Sequence, residues 1–471
     1  MTPSATRDFV NSGSIETAVA VVGGGQAGLS ISWYLKRHHI DHVVIERHRI
    51  AHDWRERRWD SFCLVTPNWQ CQLPGHPYAG HDPDGFMTRE QVVQYIESYA
   101  ALVRPPLLEG VSAERLTRCT DGRFEILTSR GPIRATQVVV ATGPYHVPVL
   151  PGLASAVPQE WTSIHSSRYR RPSQLPPGDV LVVGSGQSGC QIAEDLHLAG
   201  RKVHLAVGSA PRVARRYRGK DVVAWLHLMG YYETTVETHQ LGESVRRNVN
   251  HYVTGRDGGH DIDLRAFALD GMELYGRLVG AGRETLRFAG DLAERLDHAD
   301  SVSASIKDSI DAFIERSGIN VPTEERYVPV WQPAPGPRTL DLANSAIRSV
   351  IWATGFRPDY SWIHVDRSDS SASSIRADGA QLSRPPSHSG RGQDPEHDPG
   401  QYIPGAALFD RAGLPIHRRG VTKIPGLYFL GLPWLHTWGS GRLSGVGTDA
   451  EHISRFIVEL GQSGQGLSRS A

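Results

Sequence analysis

The chain has 471 residues, 39% of them hydrophobic and 21% charged, which is the usage of a globular protein of about two to four domains. Fifty basic residues balance fifty acidic ones, so the formal net charge is zero and neither a nucleic acid nor an anionic membrane is an expected partner. The chain lacks the run of about 18 apolar residues that a membrane-spanning helix requires.

The chain begins with a polar segment, residues 1–15, which we expect to be a flexible arm without a secretory signal. A strand is predicted at Thr17–Val22, a helix at about Ala27–Arg37 and a second strand at Val43–Glu46. These three elements form a βαβ unit. A further helix is predicted at Arg89–Leu102, where apolar residues recur at helical spacing.

A second βαβ unit is predicted in the middle of the chain. A short buried strand, Val138–Val140, precedes it, and its strand Val180–Val183 leads through a helix that ends near Ala199 to a strand at Val203–Val207. Residues 260–320 are expected to be mostly helical.

The last third of the chain contains an apolar stripe and a polar insert. The stripe has helical spacing and is assigned to the core rather than to a subunit contact; it comprises Leu292, Leu296, Ala299, Val302, Ile306, Ile310 and Phe313. Residues 367–400 are poor in apolar side chains, so a solvated or disordered loop is expected there. Order is predicted to resume with a strand at Leu427–Gly431 and a helix from about Thr448.

Two glycine turns carry the main functional signal. The first glycine turn, residues 23–28, fits G-x-G-x-x-G between a strand and a helix. Gly23 permits the tight turn, Gly25 lets the backbone approach a pyrophosphate and Gly28 lets the helix pack on the strand. The helix N-terminus attracts phosphates, and Glu46 at the end of the next strand suits a ribose diol. The pattern therefore predicts a dinucleotide site.

The second glycine turn, residues 184–189, also joins a strand to a helix. Val207 stands where Glu46 stands after the first turn, so no acid repels a 2′-phosphate. The basic residues expected to pair with that phosphate are Arg212, Arg215 and Arg216, although a solvated basic face is another interpretation of them. The second site is therefore predicted to bind NADPH.

The paired turns resemble those of two-dinucleotide-binding-domain flavoproteins and, more narrowly, of class B flavin-dependent monooxygenases. The segment from Trp54 to Pro67 resembles the flavin-flanking loop of that group, and Ala141-Thr142-Gly143 and Ala353-Thr354-Gly355 resemble its paired links between domains. His165–Arg170 resembles the second half of its linker fingerprint. The resemblance covers nearly the whole chain.

The resemblance implies an α/β fold with two Rossmann-like domains, the NADPH domain being inserted in the FAD domain. The FAD domain would comprise residues 16–150 and 351–471, and the NADPH domain, with a helical insertion, residues 151–350. The implied cofactor-binding residues are Gly23, Gly25, Gln26, Ala27, Gly28, Glu46, Arg47, Trp54, Val111, Ala141, Thr142, Gly143, Gly184, Gly186, Gln187, Ser188, Gly189, Ser209, Arg212, Arg215, Arg216, Thr354 and Gly355.

The sequence departs from the group at three places. The leading aromatic residue and glycine of the fingerprint would fall at Gln159 and Trp161, so that half is missing. Tyr169-Arg170 replaces the Trp-Pro or Trp-Asp of Baeyer–Villiger enzymes, which favours oxygenation of a heteroatom or a substrate carbon over ketone insertion. Val65 stands where flavin-containing monooxygenases often carry an asparagine before Thr-Pro.

Near the C-terminus, residues 439–450 resemble the segment that places a helix N-terminus beside the flavin ring in this group. The polar and aromatic side chains before it either line a substrate pocket or pack between domains; they are Trp434, His436 and Trp438. Arg168 and Arg442 are candidate contacts to nicotinamide, peroxide or substrate, and no catalytic acid or base is assigned.

The function implied by the resemblance is that of an FAD- and NADPH-dependent monooxygenase. Such an enzyme inserts one oxygen atom from O2 into a small organic substrate through a C4a-(hydro)peroxyflavin. One alternative is a flavin oxidase or dehydrogenase without oxygen insertion, and another is a non-catalytic flavoprotein that senses the redox state of NADPH. The expected partners are the small substrate and O2, and a homodimer is left open.

Cysteines and histidines indicate no additional chemistry. The four cysteines, which form no C-x-x-C pair, are Cys63, Cys71, Cys119 and Cys190. Their spacing predicts a cytoplasmic protein without disulfides, structural zinc or a redox-active pair. Five histidines cluster between His38 and His52, but their predicted positions on a helix end and a strand start need not converge, so no metal site is expected.

Overall fold

A computed structural model describes residues 14–282, 284–365 and 407–468. The predicted insert at 367–400 lies outside these residues, as does nearly all of the predicted arm at 1–15. Ile15, which was expected to be the last residue of the arm, begins the first strand. No helix in the described ranges is long and apolar enough to cross a lipid bilayer.

Helices and strands alternate along much of the described chain. The α-helices are α1 (Gln26–Arg37), α2 (His52–Glu56), α3 (Arg89–Val103), α4 (Gln187–Leu198), α5 (Val222–Leu228), α6 (Leu264–Leu269), α7 (Leu292–Ser317) and α8 (Val446–Ser468). The strands are β1 (Ile15–Val22), β2 (His42–Glu46), β3 (Gln72–Leu73), β4 (His76–Pro77), β5 (Leu107–Glu109), β6 (Ala113–Arg118), β7 (Phe124–Thr128), β8 (Gly131–Val140), β9 (Val147–Pro148), β10 (Thr162–His165), β11 (Asp179–Val183), β12 (Val203–Ala206), β13 (Arg216–Tyr217), β14 (Lys220–Asp221), β15 (Glu273–Tyr275), β16 (Leu278–Ala281), β17 (Thr285–Phe288), β18 (Arg338–Asp341), β19 (Ile347–Trp352), β20 (Phe356–Arg357), β21 (Ile363–His364) and β22 (Leu427–Phe429).

The first sheet has eight strands in the order β21-β6-β7-β8-β1-β2-β5, with β22 also paired to β8. Its central strands are parallel, and Val21 of β1 lies opposite Val44 of β2 and Val139 of β8. These valines are fully buried, as expected for parallel strands covered on both faces. Helix α1 packs against α3 and α8.

The second sheet has the order β10-β19-β11-β12-β15 and is parallel throughout. Val182 of β11 lies between Leu205 of β12 and Ile351 of β19. The antiparallel strands β16, β17 and β18 form a separate sheet, whose Phe288 joins the core formed by one face of the second sheet. Each of these two large sheets thus contains one predicted βαβ unit, and the α/β fold with two Rossmann-like units is confirmed.

The chain leaves the first sheet after β8 and returns to it after β19. Strands β9 and β20, which follow these two strands, pair with each other, with Val147 opposite Arg357. Strand β21 then joins β6 in the first sheet. The two crossings between the sheets therefore lie side by side.

The prediction of a mostly helical region at 260–320 was wrong in its first half. Helix α6 has six residues, and three short strands, β15, β16 and β17, occupy most of the chain from Glu273 to Phe288. Strand β15 forms an edge of the second sheet through its pairing with β12. Tertiary pairing decides the structure of such short segments, since local preference for strand is weak.

The apolar stripe of α7 was predicted correctly at four of its positions and missed at three. The buried residues of the helix are Leu292, Leu296, Ala299, Ser303, Lys307, Ile310 and Ile314. Val302, Ile306 and Phe313 stand beside this face and are half-buried. The stripe is core, as predicted, but Lys307 enters it because its ammonium pairs with Glu324 at 3.2 Å.

Candidate functional site

The first glycine turn is held by contacts within the protein. Gly23 has a φ of +112°, and a Cβ there would overlap the carbonyl oxygen of Ala141 at the end of β8. A Cβ on Gly28 would overlap the carbonyl oxygen of Gly23. Gly25 differs, because a Cβ added to it meets no atom within 4 Å. The turn is therefore rigid at its two ends and open at its middle glycine.

Helix α1 begins directly after this opening. Gly25 occupies its N-cap position, and no side chain caps the helix start, so the backbone N–H groups of its first turn remain for a ligand. The side chain of Gln26 donates from Nε2 to the carbonyl oxygen of Gly441 at 3.1 Å. This bond holds the loop before α8 against the turn.

Glu46 closes the other side of the first turn. Its Oε2 accepts from the backbone N–H of Gly24 and its Oε1 from that of His48, both at 2.8 Å. Each carboxylate oxygen keeps a further lone pair for a hydroxyl donor. Val111, another predicted site residue, is fully buried and donates its N–H to the carbonyl oxygen of Glu46 at 3.0 Å.

Other residues predicted at the first site are spread around this turn. Arg47 is exposed, whereas Trp54 is half-buried beneath the guanidinium of Arg58, at 5.2 Å from its ring centre. Ala27 is buried in the first turn of α1. Thr142 follows β8, and its enclosed hydroxyl has no hydrogen-bond partner among the described residues. That hydroxyl lies on the sheet edge that also carries Gly23.

The second glycine turn repeats the geometry of the first. Gly184 has a φ of +105° and faces the carbonyl oxygen of Ala353 at the end of β19, and a Cβ on Gly189 would overlap the carbonyl oxygen of Gly184. A Cβ on Gly186 meets no atom within 4 Å. Gln187 at the start of α4 donates from Nε2 to the carbonyl oxygen of Val253 at 2.5 Å.

The end of β12 differs from the end of β2 in its charge. Val207 is buried at the position that corresponds to Glu46. The hydroxyl of Ser185, within the turn, accepts from the backbone N–H of Gly208 at 2.9 Å. The hydroxyl of Ser185 thus accepts the bond that joins the turn to the strand end, as the carboxylate of Glu46 does at the first turn. This strand end therefore carries no negative charge. Ser209 is exposed beyond it and lines a cleft of about 720 Å³.

The links at the strand ends connect the two sheets. Thr354 donates from Oγ1 to the carbonyl oxygen of Val149 at 2.5 Å, and Val149 donates its N–H to the carbonyl oxygen of Gly355 at 2.9 Å. His165, from the linker motif, also reaches Gly355, with Nε2 at 3.0 Å from its carbonyl oxygen. The linker motif and the second link are therefore joined directly.

Residues 20–255, which include both glycine turns, match the family of pyridine nucleotide-disulphide oxidoreductases. An uncharacterized oxidoreductase, CzcO-like, of Geobacillus kaustophilus is 30% identical over 442 residues, which are 93% of this chain and 98% of that protein. The chain belongs to the pyridine nucleotide-disulphide oxidoreductase family. This membership confirms the predicted oxidoreductase class.

Two further proteins relate this oxidoreductase to monooxygenases. A probable indole-3-pyruvate monooxygenase, YUCCA3, of Arabidopsis thaliana is 31% identical over 208 residues, 42% of this chain and 47% of that protein. A flavin-containing monooxygenase from Stenotrophomonas maltophilia has the same fold, with a TM-score of 0.57 and 18% identity over 94% of this chain and 99% of that one.

Arg215 of the oxidoreductase is buried in an ion pair. Its Nη2 lies 2.7 Å from Oδ1 of Asp221, and its Nη1 donates to the carbonyl oxygen of Val65 at 2.8 Å. Its guanidinium also lies over the ring of Phe86, at 4.6 Å. Arg215 thus connects the flavin-flanking loop to the segment after β12.

Arg212 is also buried, and its Nε lies 2.7 Å from Oδ1 of Asp300. The interpretation as a solvated basic face is therefore wrong for Arg212 and Arg215, whose charges already have carboxylate partners. Arg216 is exposed, as a solvated face requires. Contact of these arginines with a 2′-phosphate stays a prediction.

A buried carboxylate that the sequence analysis did not single out joins several segments of the oxidoreductase. Asp195 of α4 accepts from the hydroxyl of Tyr169 at 2.7 Å, from the hydroxyl of Ser61 at 2.5 Å and from Nη1 of Arg256 at 3.1 Å. These donors belong to the linker motif, the flavin-flanking loop and the segment before α6. No sequence signal marks such a group, because its donors come from distant parts of the chain.

The two arginines that were candidate contacts occupy different environments. Arg168 is exposed. Arg442 is half-buried, lies 3.9 Å from the ring centre of Trp438 and donates from Nη2 to Oδ1 of Asn250 at 2.9 Å. Burial lowers the pKa of the Arg442 guanidinium. Arg442 therefore remains a candidate site residue, and Arg168 is a surface residue in this structure.

The three side chains before Arg442 were expected either to pack between domains or to line a substrate pocket, and they differ in this respect. Trp434 is buried with Val236 and Val245 in a small core, which supports a packing role for it. His436 lies 3.8 Å from the carboxylate of Glu237, at the edge of that core. Trp438 instead stacks with Arg442. Of the three, Trp438 alone contacts a side chain proposed for the site.

Proposed function

We propose that this oxidoreductase is an NADPH-dependent, FAD-containing monooxygenase that transfers one oxygen atom from O2 to a small organic substrate. The observation that carries the proposal is the repeated turn geometry, in which Gly25 and Gly186 face open space while the glycines around them are fixed against their sheets. The partial sequence relationship to an indole-3-pyruvate monooxygenase and the fold of a flavin-containing monooxygenase support it.

The residues at the first glycine turn fit FAD. The backbone N–H groups at the start of α1 suit its pyrophosphate, the carboxylate of Glu46 suits a ribose hydroxyl, and the enclosed hydroxyl of Thr142 lacks a partner among the described residues. When bound, FAD supplies electron storage and the activation of oxygen. The chain supplies a turn whose shape is fixed in advance by Gly23 and Gly28.

The residues at the second glycine turn fit NADPH. The start of α4 suits its pyrophosphate, and the uncharged end of β12 at Val207 accepts a 2′-phosphate without repulsion. NADPH supplies the hydride that reduces the flavin. The cleft beside Ser209 is also lined by Arg295 of α7, which the sequence analysis did not identify and which pairs with Asp291 at 2.8 Å, and by the acidic Glu294 and Asp297.

Two loops lie beside the turns. Gln26 holds the loop at Gly441, Gln187 holds the loop at Val253, and the two loops meet where Arg442 donates to Asn250. A site that excludes water favours transfer of oxygen to a bound substrate over its release as hydrogen peroxide, and these two loops are placed to help exclude it once the cofactors are bound. This is the contribution that we assign to the protein rather than to its cofactors.

The two buried thiols, Cys71 and Cys190, are unsuited to disulfide reduction, although the family name includes it. Burial raises the pKa of Cys71 to about 12, and burial also raises the pKa of Cys190 well above its ordinary value. Cysteine chemistry requires the thiolate, so neither side chain is suited to attack a disulfide. All four cysteines are free thiols, which supports the cytoplasmic location that forms part of the proposal.

The proposal is tested with purified protein loaded with FAD. Under anaerobic conditions one equivalent of NADPH should bleach one equivalent of flavin. Mixing with ¹⁸O2 in the presence of a substrate should then give a product that contains one ¹⁸O atom. Recovery of all the O2 as hydrogen peroxide with every substrate class would establish the oxidase alternative, and failure of NADPH to reduce the flavin would exclude both functions.

A further inference from the structure

Arg442 carries a charge that no carboxylate in the described part of the chain neutralises. The side chains of Tyr145, Tyr231 and Tyr232 lie near it. Its Nε is enclosed and has no hydrogen-bond partner among the described residues. Removing a cation from water without a counter-ion is costly, so this arrangement is suited to an anionic ligand.

Three arginines that are more buried than Arg442 show how a charge inside this protein is compensated. Arg212 pairs with Asp300, Arg215 pairs with Asp221, and Arg265 pairs with Asp300 as well as with a second aspartate. Each therefore has a carboxylate within 2.9 Å. Arg442 has the amide of Asn250 at the corresponding distance, and an amide oxygen does not remove the charge.

The surroundings of Arg442 are aromatic. Its guanidinium covers Trp438, whose ring lies 4.6 Å from that of Tyr232, and Tyr231 follows at 5.6 Å from Tyr232. Tyr145, of which 50% is exposed, marks a side that is open to solvent. Flat rings around a cation suit a ligand with a flat apolar body and an anionic end.

The position of Arg442 relates it to both glycine turns. It follows Gly441, which is bonded to Gln26 at the first turn. Its partner Asn250 lies three residues before Val253, which is bonded to Gln187 at the second turn. A ligand on Arg442 therefore lies between the sites proposed for the two cofactors, where a substrate must be placed.

We infer that Arg442 binds the carboxylate of the substrate and that Trp438, Tyr231 and Tyr232 contact its body, so that the substrate is an aromatic or similarly flat carboxylic acid. This inference rests on the proposed function and specifies its substrate class. Arginine suits the task because its planar guanidinium presents parallel N–H donors to the two oxygens of a carboxylate.

The inference is tested by the binding of three matched probes to the oxidised protein loaded with FAD, by calorimetry. The probes are phenylacetate, phenylacetamide and 2-phenylethylamine, which share a ring and differ in charge. Phenylacetate should bind at least about tenfold more tightly than the amide, since a charge-assisted contact is involved. Equal affinity for acid and amide would overturn the inference.

Three substitutions test whether the charge of Arg442, rather than its packing, sets the preference for acid over amide. Arg442→Met should remove most of the preference for acid over amide, and Arg442→Lys should restore part of it. Asn250→Asp keeps Arg442 in place but gives it an internal carboxylate, and it should also remove the preference. It serves as the deciding variant where Arg442→Met does not fold. The control is Arg455→Met on the outer face of α8, where Arg455 is exposed and pairs with Glu451; this variant should keep the preference.

The remaining outcomes show whether Arg442 binds a phosphate of the coenzyme instead of a substrate carboxylate. If Arg442→Met and Asn250→Asp weaken the binding of NADPH and leave the acid-to-amide ratio unchanged, the guanidinium serves a phosphate of the coenzyme and the inference is overturned. Anaerobic reduction of the unsubstituted protein by NADPH, without any acid, tests the proposed function separately. Binding of phenylacetate does not depend on that reaction, so the two failures are distinguishable.

Discussion

The imidazole of His165 donates from Nε2 to the carbonyl oxygen of Gly355, 3.0 Å away, and so connects the linker motif to the link after β19. Its Nδ1 accepts the backbone N–H of Ser167 at 3.2 Å, so both ring nitrogens are engaged and the tautomer is defined. Burial lowers the pKa of His165, which keeps the ring neutral as this arrangement requires. Among the described residues these bonds go to Gly355 and Ser167 and not to either glycine turn, so we expect His165 to act by positioning.

His165→Ala should slow the anaerobic reduction of FAD by NADPH about five- to tenfold while leaving the flavin bound. The reason is that one net hydrogen bond, of the order of 1 kcal/mol, then no longer holds the second sheet at the link. Stopped-flow absorbance measures the rate. His38→Ala, at an exposed position after α1, is the control and should keep the full rate. An unchanged rate in His165→Ala would contradict a positioning role.

Gly25→Ala should yield folded protein that does not retain FAD. A Cβ at this position meets no protein atom within 4 Å, so it obstructs only a ligand that approaches the backbone. Gly28→Ala should instead impair folding, because its Cβ overlaps the carbonyl oxygen of Gly23. Thermal unfolding and the visible spectrum distinguish the two effects. Full flavin occupancy in folded Gly25→Ala would remove the assignment of the first turn to FAD.

Ser209→Asp should lower the ratio of kcat/KM for NADPH to that for NADH by about tenfold or more. The substitution brings a carboxylate to the uncharged end of β12, where it repels a 2′-phosphate and accepts from a free ribose hydroxyl. Ser209 is exposed, so the fold should tolerate the change. Ser209→Asn is the isosteric control. A ratio that is the same in both variants would place the 2′-phosphate elsewhere.

The protein should lose stability as the pH falls below about 6.5, in part through His417. Burial and the adjacent Arg246 lower the pKa of His417 from 6.5 to about 3. Because the folded pKa is depressed, the stabilisation is present above 6.5 and is lost as the pH falls towards 3. This residue contributes up to about 1.4 kcal/mol per pH unit within that window.

Urea unfolding between pH 7 and pH 5 measures this dependence. His417→Gln keeps an acceptor for Nη1 of Arg246, which lies 2.8 Å from Nε2 of the histidine, and removes the titration. The variant should show a shallower decline in the free energy of unfolding than the unsubstituted protein. His81→Gln, at an exposed position, should not change the decline. Identical declines in the first variant and the unsubstituted protein would count against His417.

The two βαβ units could be predicted from sequence because their signals are local. Gly23, Gly25 and Gly28 have fixed spacing, and Glu46 follows at the end of the next strand, so the pattern and its structural context lie within one short segment. The observed strands and helices at both turns begin and end within a few residues of the predicted bounds. The core assignment of α7 followed from helical spacing in the same way.

The partners of charged and polar side chains could not be predicted, because they are distant in sequence. Nothing near Arg212 indicates that it pairs with Asp300, and nothing near Arg215 indicates that it donates to the carbonyl oxygen of Val65. The partners of Asp195 and Arg442 could not be predicted either, since they come from segments that meet only in the folded protein. Strand β15 was missed because its pairing with β12, and not its own sequence, makes it a strand.

A Cβ on Gly23 would overlap the carbonyl oxygen of Ala141, and a Cβ on Gly184 would overlap that of Ala353, so each turn is held by close packing within the protein. A cofactor that enters such a turn finds it already ordered, so little conformational entropy is lost on binding. Loss of a cofactor should then leave a folded apoprotein that can be reloaded. The amount of active enzyme would accordingly follow the supply of flavin, and not the rate of new protein synthesis.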